Sequence, residues 1–176
     1  MKQKLEMATS VAIIGIALLI GYVLVRSYIF PRQPDANSLT RIRVGQRMTE
    51  FRAVNWGAHH RTLVLAVKKG CHYCEESGPF YKRLLDARAS AHSDVSVVAI
   101  LPDGKADAAS YLTSEGLGVD FVPDVNLQDV GVDATPTLIL VGSDGRVQKT
   151  WVGMLSPKME MDVVGAITDS AGQGSS

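Results

Sequence analysis

Residues 68–80, KKGCHYCEESGPF, hold both cysteines of a 176-residue chain, two residues apart. The Cys71-His72-Tyr73-Cys74 spacing suits three chemistries: a redox dithiol, half of a metal site, or two buried structural thiols. Zinc takes four ligands, often from two such pairs, and here there is one pair. His59, His60, His72 and His92 could complete a site, but nothing in their spacing demands it. Covalent haem attachment needs histidine directly after the second cysteine, and Glu75 stands there. A disulfide this short closes a loop too small to constrain the unfolded chain appreciably. The redox reading weighs most, with a metal site and inert thiols as its rivals.

The surrounding pattern supplies the geometry a redox pair needs. The apolar run 62–67, TLVLAV, reads as a buried strand, and the cysteines follow it directly. From His72 to Ala89 the pattern is helical, with Phe80, Leu84 and Ala87 on a candidate buried face and Pro79 expected to kink the helix. At such a strand-to-helix junction, free backbone N–H groups and the helix dipole favour an anion. The thiol pKa of Cys71 is therefore expected below the ordinary value of about 8.5. Cys74, on the first turn, can resolve a mixed disulfide on Cys71. Cys71 is assigned as nucleophile and Cys74 as resolving thiol, with His72, when protonated, adding positive charge beside the thiolate.

Further along, 94–101 reads as a second strand, 102–116 as a turn and helix, 119–124 as a short strand, and 126–134 as a short helix or turn. A hairpin follows, with strands 137–141 and 146–152 around Ser143-Asp144-Gly145. Ser156-Pro157 opens a last helix with Met159, Val163, Ala166 and Ile167 on one face. Strands alternating with helices imply a central sheet with a parallel βαβ part covered by helices. Trp56 and Trp151 read as packing residues, Tyr73 as an exposed neighbour of Cys71, and His59-His60 as an inert turn. Glu75 and Glu76 read as solvated helix charges.

Eighteen basic and 18 acidic side chains balance, so no nucleic-acid partner is expected. Residues 7–25 carry no charge for a length that suits one membrane crossing. Lys2 and Lys4 precede them, Arg26 follows, and Tyr22 and Tyr28 stand near the expected interface. The expected organisation is a flank over 1–6, a transmembrane anchor over 7–28, a linker over 29–43, the folded domain over 44–169 and a tail over 170–176. Counting arginines beyond the anchor favours a cytoplasmic domain.

The strand, GCHYCEESGPF, and VGVDATPTLILVGSDGRV together resemble the thioredoxin superfamily. Within it, VGQRMTEF (44–51), the stretch 103–124 and the hairpin resemble the membrane-anchored thiol-disulfide oxidoreductases of the TlpA/ResA type. The resemblance covers roughly residues 44–168. It implies a thioredoxin-like α/β fold, a mixed sheet flanked by helices, behind one transmembrane helix. It also implies a cis-proline loop at Thr135-Pro136 beside the cysteines, offering a backbone edge to an extended substrate. Tyr73 and His72 would modulate the pair.

The implied activity is disulfide exchange with protein substrates, as a reductant of the cytochrome c maturation type. Disulfide donation or isomerisation, or a binding or chaperone module without turnover, are the alternatives. No cofactor and no metal are expected, because the cysteines are the redox centre; electrons come from a membrane or extracytoplasmic protein partner. The implied location is the cytoplasmic membrane, single-pass, with the domain on the periplasmic side, against the arginine count. Three positions depart from the pattern: Gly70 where tryptophan is common, Leu65 where thioredoxin has a buried acid, and the His-Tyr dipeptide itself.

Overall fold

A computed structural model describes residues 40–51 and 53–169, together with Leu19. The chain divides into two compact units, Met1–Pro34 and Asp35–Ser176, and the description concerns the second. The flank at 1–6, the anchor expected over 7–28 (Leu19 apart), the linker as far as 39 and the tail over 170–176 lie outside the described residues. Among the described residues, no helix is long and apolar enough to cross a membrane.

Five strands form one mixed sheet: β1 (Arg61–Ala66), β2 (Val95–Ile100), β3 (Asp120–Val122), β4 (Thr137–Gly142) and β5 (Val147–Val152), in the order β3-β2-β1-β4-β5. β1 is central, parallel to β2 and antiparallel to β4. Its near-continuous apolar sequence follows from burial on both faces. Leu63, Leu65 and Val67 point into one apolar cluster, and Val64 and Ala66 into the other.

The helices are α1 (His72–Glu76), α2 (Gly78–Ser90), α3 (Lys105–Ser114) and α4 (Pro157–Thr168). Side chains of α2, α3 and α4 all enter the cluster around Leu63 and Leu65. Parallel crossovers are right-handed as a rule, so two that step in the same direction, β1 to β2 to β3, keep their helices on one face. The opposite face is closed by Ile42, Met48 and Trp56 from the N-terminal segment, and by Val125, Leu127, Val130 and Val132. Expected helical cover is thus replaced on that face by irregular chain.

That segment is tied into the fold at several points. Thr40 bridges Val132, Arg47 bridges Arg146, and Ile42 is buried. Arg41 grips the Asp133 carboxylate at 3.1 and 3.0 Å and the Gln128 carbonyl at 2.6 Å. The stretch 126–134 is a turn, without the helix considered as its alternative.

The helix expected from His72 to Ala89 is two helices. Ser77 ends α1, and its hydroxyl donates to the Tyr73 carbonyl at 2.7 Å. Pro79 then sits in the first turn of α2, where its missing N–H costs nothing. Proline here starts a helix and does not kink one. Phe80 and Leu84 are buried as expected, Ala87 is half-buried, and Tyr81 is a further core residue.

β5 and α4 are tied by Asp162, which accepts from Lys149 Nζ at 2.7 Å and from Trp151 Nε1 at 2.9 Å. The Lys149 ammonium first, then the indole N–H, hold its carboxyl below the usual carboxylate range. A depressed folded-state value stabilises above the unfolded value, near 3.9, and that stability is lost as pH falls through the folded one. Asp162→Asn is expected to cost about 1 kcal/mol or less at pH 7, because the pair is half exposed. Denaturant melts at pH 7 and pH 3 check this: the gap should close at pH 3, and a constant gap would contradict it.

Candidate active site

β1 ends at Ala66, and a short turn with Gly70 at φ +69° leads into Cys71, the N-cap of α1. The turn is pinned from β2's far end: Lys69 N–H donates to Asp103 Oδ2 at 3.0 Å and Lys69 Nζ to Asp107 Oδ1 at 2.6 Å. No motif marks these aspartates, and only the packing of α3 reveals them. Hydrogen bonding to Asp107 raises the pKa of Lys69, so its charge is constant at physiological pH.

Cys71 and Cys74 are joined in a disulfide with their Cα atoms 5.2 Å apart. Cys71 is partly exposed and Cys74 fully buried. The Cys74 N–H donates to Cys71 Sγ at 3.3 Å, so this sulfur caps the helix as a hydroxyl would. β4 brings the other wall, since Ala66 at the end of β1 pairs with Thr137 at the start of β4. The Thr135-Pro136 bond is cis. Thr135 Oγ1 donates to Cys71 Sγ at 3.3 Å, and the Thr135 carbonyl oxygen lies 3.5 Å from the same sulfur. Gly153 N–H donates to the Pro136 carbonyl at 2.7 Å.

His72 and Tyr73 are both exposed on α1, their rings 5.5 Å apart. His72 Nε2 is 3.3 Å from Glu76 Oε1, one turn along. Tyr73, 54% exposed, offers a flat apolar surface next to the disulfide. A side chain at Gly70 would meet nothing within 4 Å, and this flank of Cys71 is open. Leu65 is buried in the cluster that holds Cys74, so β1 delivers no acid there. His59 and His60 lie apart from the site: His59 Nδ1 is 3.0 Å from Asp94 Oδ1, and His60 N–H donates to Asp94 Oδ2. Among the described residues, no cluster of three or more histidine, cysteine or acidic side chains is arranged to hold a metal.

No family model and no curated protein matches the chain. Solved structures do. A candidate thiol:disulfide interchange protein DsbE from Chlorobium tepidum aligns with TM-score 0.57 and 20% identity, over 72% of this chain and 99% of its own. The thioredoxin domain of a thiol-disulfide oxidoreductase from Bacteroides vulgatus aligns with TM-score 0.54 and 14% identity, over 73% and 99%. A secreted disulfide oxidoreductase of Mycobacterium tuberculosis aligns with TM-score 0.53 and 14% identity, over 69% and 96%. At these identities the likeness is one of fold, and the fold is that of thioredoxin, as the strand and cysteine pattern implied.

Proposed function

We propose that this chain is a thiol-disulfide oxidoreductase that reduces protein disulfides through Cys71 and Cys74. The observation that carries this is the pair of donors on one sulfur. Cys71 Sγ receives the Cys74 N–H and the Thr135 hydroxyl, and both would stabilise a thiolate there when the bond is reduced. In the reduced protein the Cys71 thiolate attacks a substrate disulfide, forms a mixed disulfide and expels one substrate thiolate. Cys74 then attacks Cys71 Sγ, the second substrate thiolate leaves, and the Cys71–Cys74 disulfide is formed. Two electrons pass to the substrate, and a partner dithiol must return them. An extended substrate segment would lie along Thr135, whose backbone borders the sulfur.

The apolar stretch at 7–25 supports anchoring in the cytoplasmic membrane, and the oxidoreductases that this sequence resembles carry their domain on the periplasmic side. Cytochrome c maturation is the use that resemblance favours. A C-terminal alkaline phosphatase fusion, active only outside the cytoplasm, tests the orientation; an inactive but intact fusion would place the domain inside. Disulfide donation uses the same atoms in reverse and is the second reading, since the His-Tyr dipeptide is not the one typical of reducing thioredoxins.

Equilibrating the full chain in detergent against defined thiol and disulfide buffers separates these readings. A reduction potential of about −270 mV or lower indicates a reductant, and one near −120 mV a donor. A pair that forms no reversible disulfide leaves only a binding module.

A further inference from the structure

Residues 68–70, the turn between β1 and Cys71, are exposed, and little holds them. The β1 ladder ends with Ala66 opposite Ile100 and Thr137. One further bond follows, from the Val67 N–H to the Ile100 carbonyl at 3.2 Å. Cys71 N–H donates back to the Lys68 carbonyl at 3.3 Å, which closes the turn on itself without tying it to the sheet. A β-carbon at Gly70 would touch nothing within 4 Å, so packing does not locate the turn there. Among the described residues, two hydrogen bonds reach residues 68–70 from outside. Asp103 Oδ2 takes the Lys69 N–H at 3.0 Å, and Asp107 Oδ1 takes Lys69 Nζ at 2.6 Å.

These two bonds are unequal. The Lys69–Asp107 pair is more than half exposed on both sides and acts at the end of a flexible side chain, so it fixes the backbone weakly. The Asp103 bond is made to the main chain itself, and a carboxylate acceptor makes it stronger than a bond between neutral groups. Asp103 is partly buried and well seated. Its own carbonyl accepts the Asp124 N–H at 3.0 Å, and the Leu101 carbonyl accepts the Val125 N–H at 2.9 Å. Downstream, the two donors on Cys71 Sγ differ in origin. The Cys74 N–H belongs to α1 and moves with the sulfur. The Thr135 hydroxyl, 3.3 Å away, belongs to the loop before β4 and stays in range only while the turn is held against the sheet.

We propose that Asp103 is a positioning residue for Cys71: by holding the Lys69 N–H it keeps the sulfur in reach of the Thr135 hydroxyl, and so raises the reduction potential of the pair. The proposal rests on the exchange reading above. A hydroxyl donated to Cys71 stabilises the thiolate of the reduced protein more than the uncharged disulfide. Whatever stabilises the reduced form makes the disulfide easier to reduce. Without the Asp103 bond the turn shifts, Thr135 loses its sulfur, and the potential falls. The charge of Asp103 works in the opposite direction, because a carboxylate near a thiolate disfavours it. Position and charge therefore carry opposite signs, and two substitutions at one residue separate them.

The test equilibrates full-length protein in detergent with reduced and oxidised dithiothreitol. Each disulfide reduced takes two electrons and two protons from one dithiothreitol, which closes to its cyclic disulfide. Asp103→Asn keeps an acceptor oxygen and removes the charge, whereas Asp103→Ala removes both. The alanine variant should be about tenfold harder to reduce than the asparagine variant, the worth of one hydrogen bond. That is a potential about 30 mV more negative. In a Thr135→Val background the gap between the two variants should vanish. Amide hydrogen exchange of the oxidised protein gives an independent reading: Lys69 N–H should exchange about tenfold faster with alanine at 103 than with aspartate or asparagine. Equal potentials for the two variants, a gap that persists without the Thr135 hydroxyl, or a Lys69 amide equally protected in all three proteins overturns the proposal. A wild-type pair that no dithiothreitol buffer reduces reversibly would instead sink the exchange reading, while the Lys69 amide would still report the Asp103 bond.

Discussion

Cys71→Ser should reduce disulfide exchange to the rate of the thiol buffer alone, whereas Cys74→Ser should turn the protein into a trap. The asymmetry follows from exposure. Cys71 is reachable, and two donors point at its sulfur, whereas Cys74 is 0% exposed. A substrate sulfur can meet only the first. With serine at 74 the mixed disulfide on Cys71 has no internal thiol to displace it, so adducts accumulate. With serine at 71 no adduct forms. Non-reducing gels of both variants, incubated with an oxidised protein substrate, decide the matter. Adducts on Cys71→Ser and none on Cys74→Ser would reverse the assignment of nucleophile and resolving thiol.

Leu65→Asp should destabilise the protein by about 3–5 kcal/mol at pH 7, the cost of an unpaired buried charge. Leu65 is 1% exposed in the central strand, aligned between Ala99 of β2 and Leu138 of β4. Neither neighbour can pair a carboxylate. Burial would raise the folded-state pKa of the new acid above its unfolded value near 3.9. The charge penalty is then absent below that value, grows as pH rises, and levels off above the folded-state pKa. Leu65→Asn, similar in shape and uncharged, should lose stability without that pH dependence. Denaturant titrations of both variants from pH 4 to pH 8 test this. Parallel losses at every pH would mean that the ground under Cys74 already accommodates a charge.

The cysteine spacing and the buried strand before it were legible as local patterns with one dominant physical cause, whereas the place of Thr135-Pro136 came only from the family resemblance. β1 reads as apolar because both of its faces are covered, and the hairpin reads from Ser143-Asp144-Gly145. Pro79 was misread: a proline seven residues into a helical pattern looks like a kink unless Ser77 is seen to end the first helix. The strip around Thr40–Met48 was half legible, since its attachments are single bridges to Val132 and Arg146 that leave no periodicity. Asp103 and Asp107 were not legible as site residues. An acidic residue near a helix start has many ordinary uses, and only the packing of α3 against the cysteine turn gives these two a common address.

The two walls of the disulfide come from strands that are neighbours in space yet far apart in the chain: Thr135 and Cys71 are separated by 64 positions. On a ribosome, the cysteines and β1 emerge well before β4. Until β4 arrives, β1 lacks its antiparallel partner and Cys71 lacks the threonine that borders it. The nascent chain therefore carries a dithiol whose sulfurs have no fixed surroundings, open to whatever oxidant or thiol the compartment holds. Closing so long a loop is paid in chain entropy before any pairing energy returns. The order of synthesis thus makes the redox centre the earliest chemistry in the chain and its enclosure one of the last events.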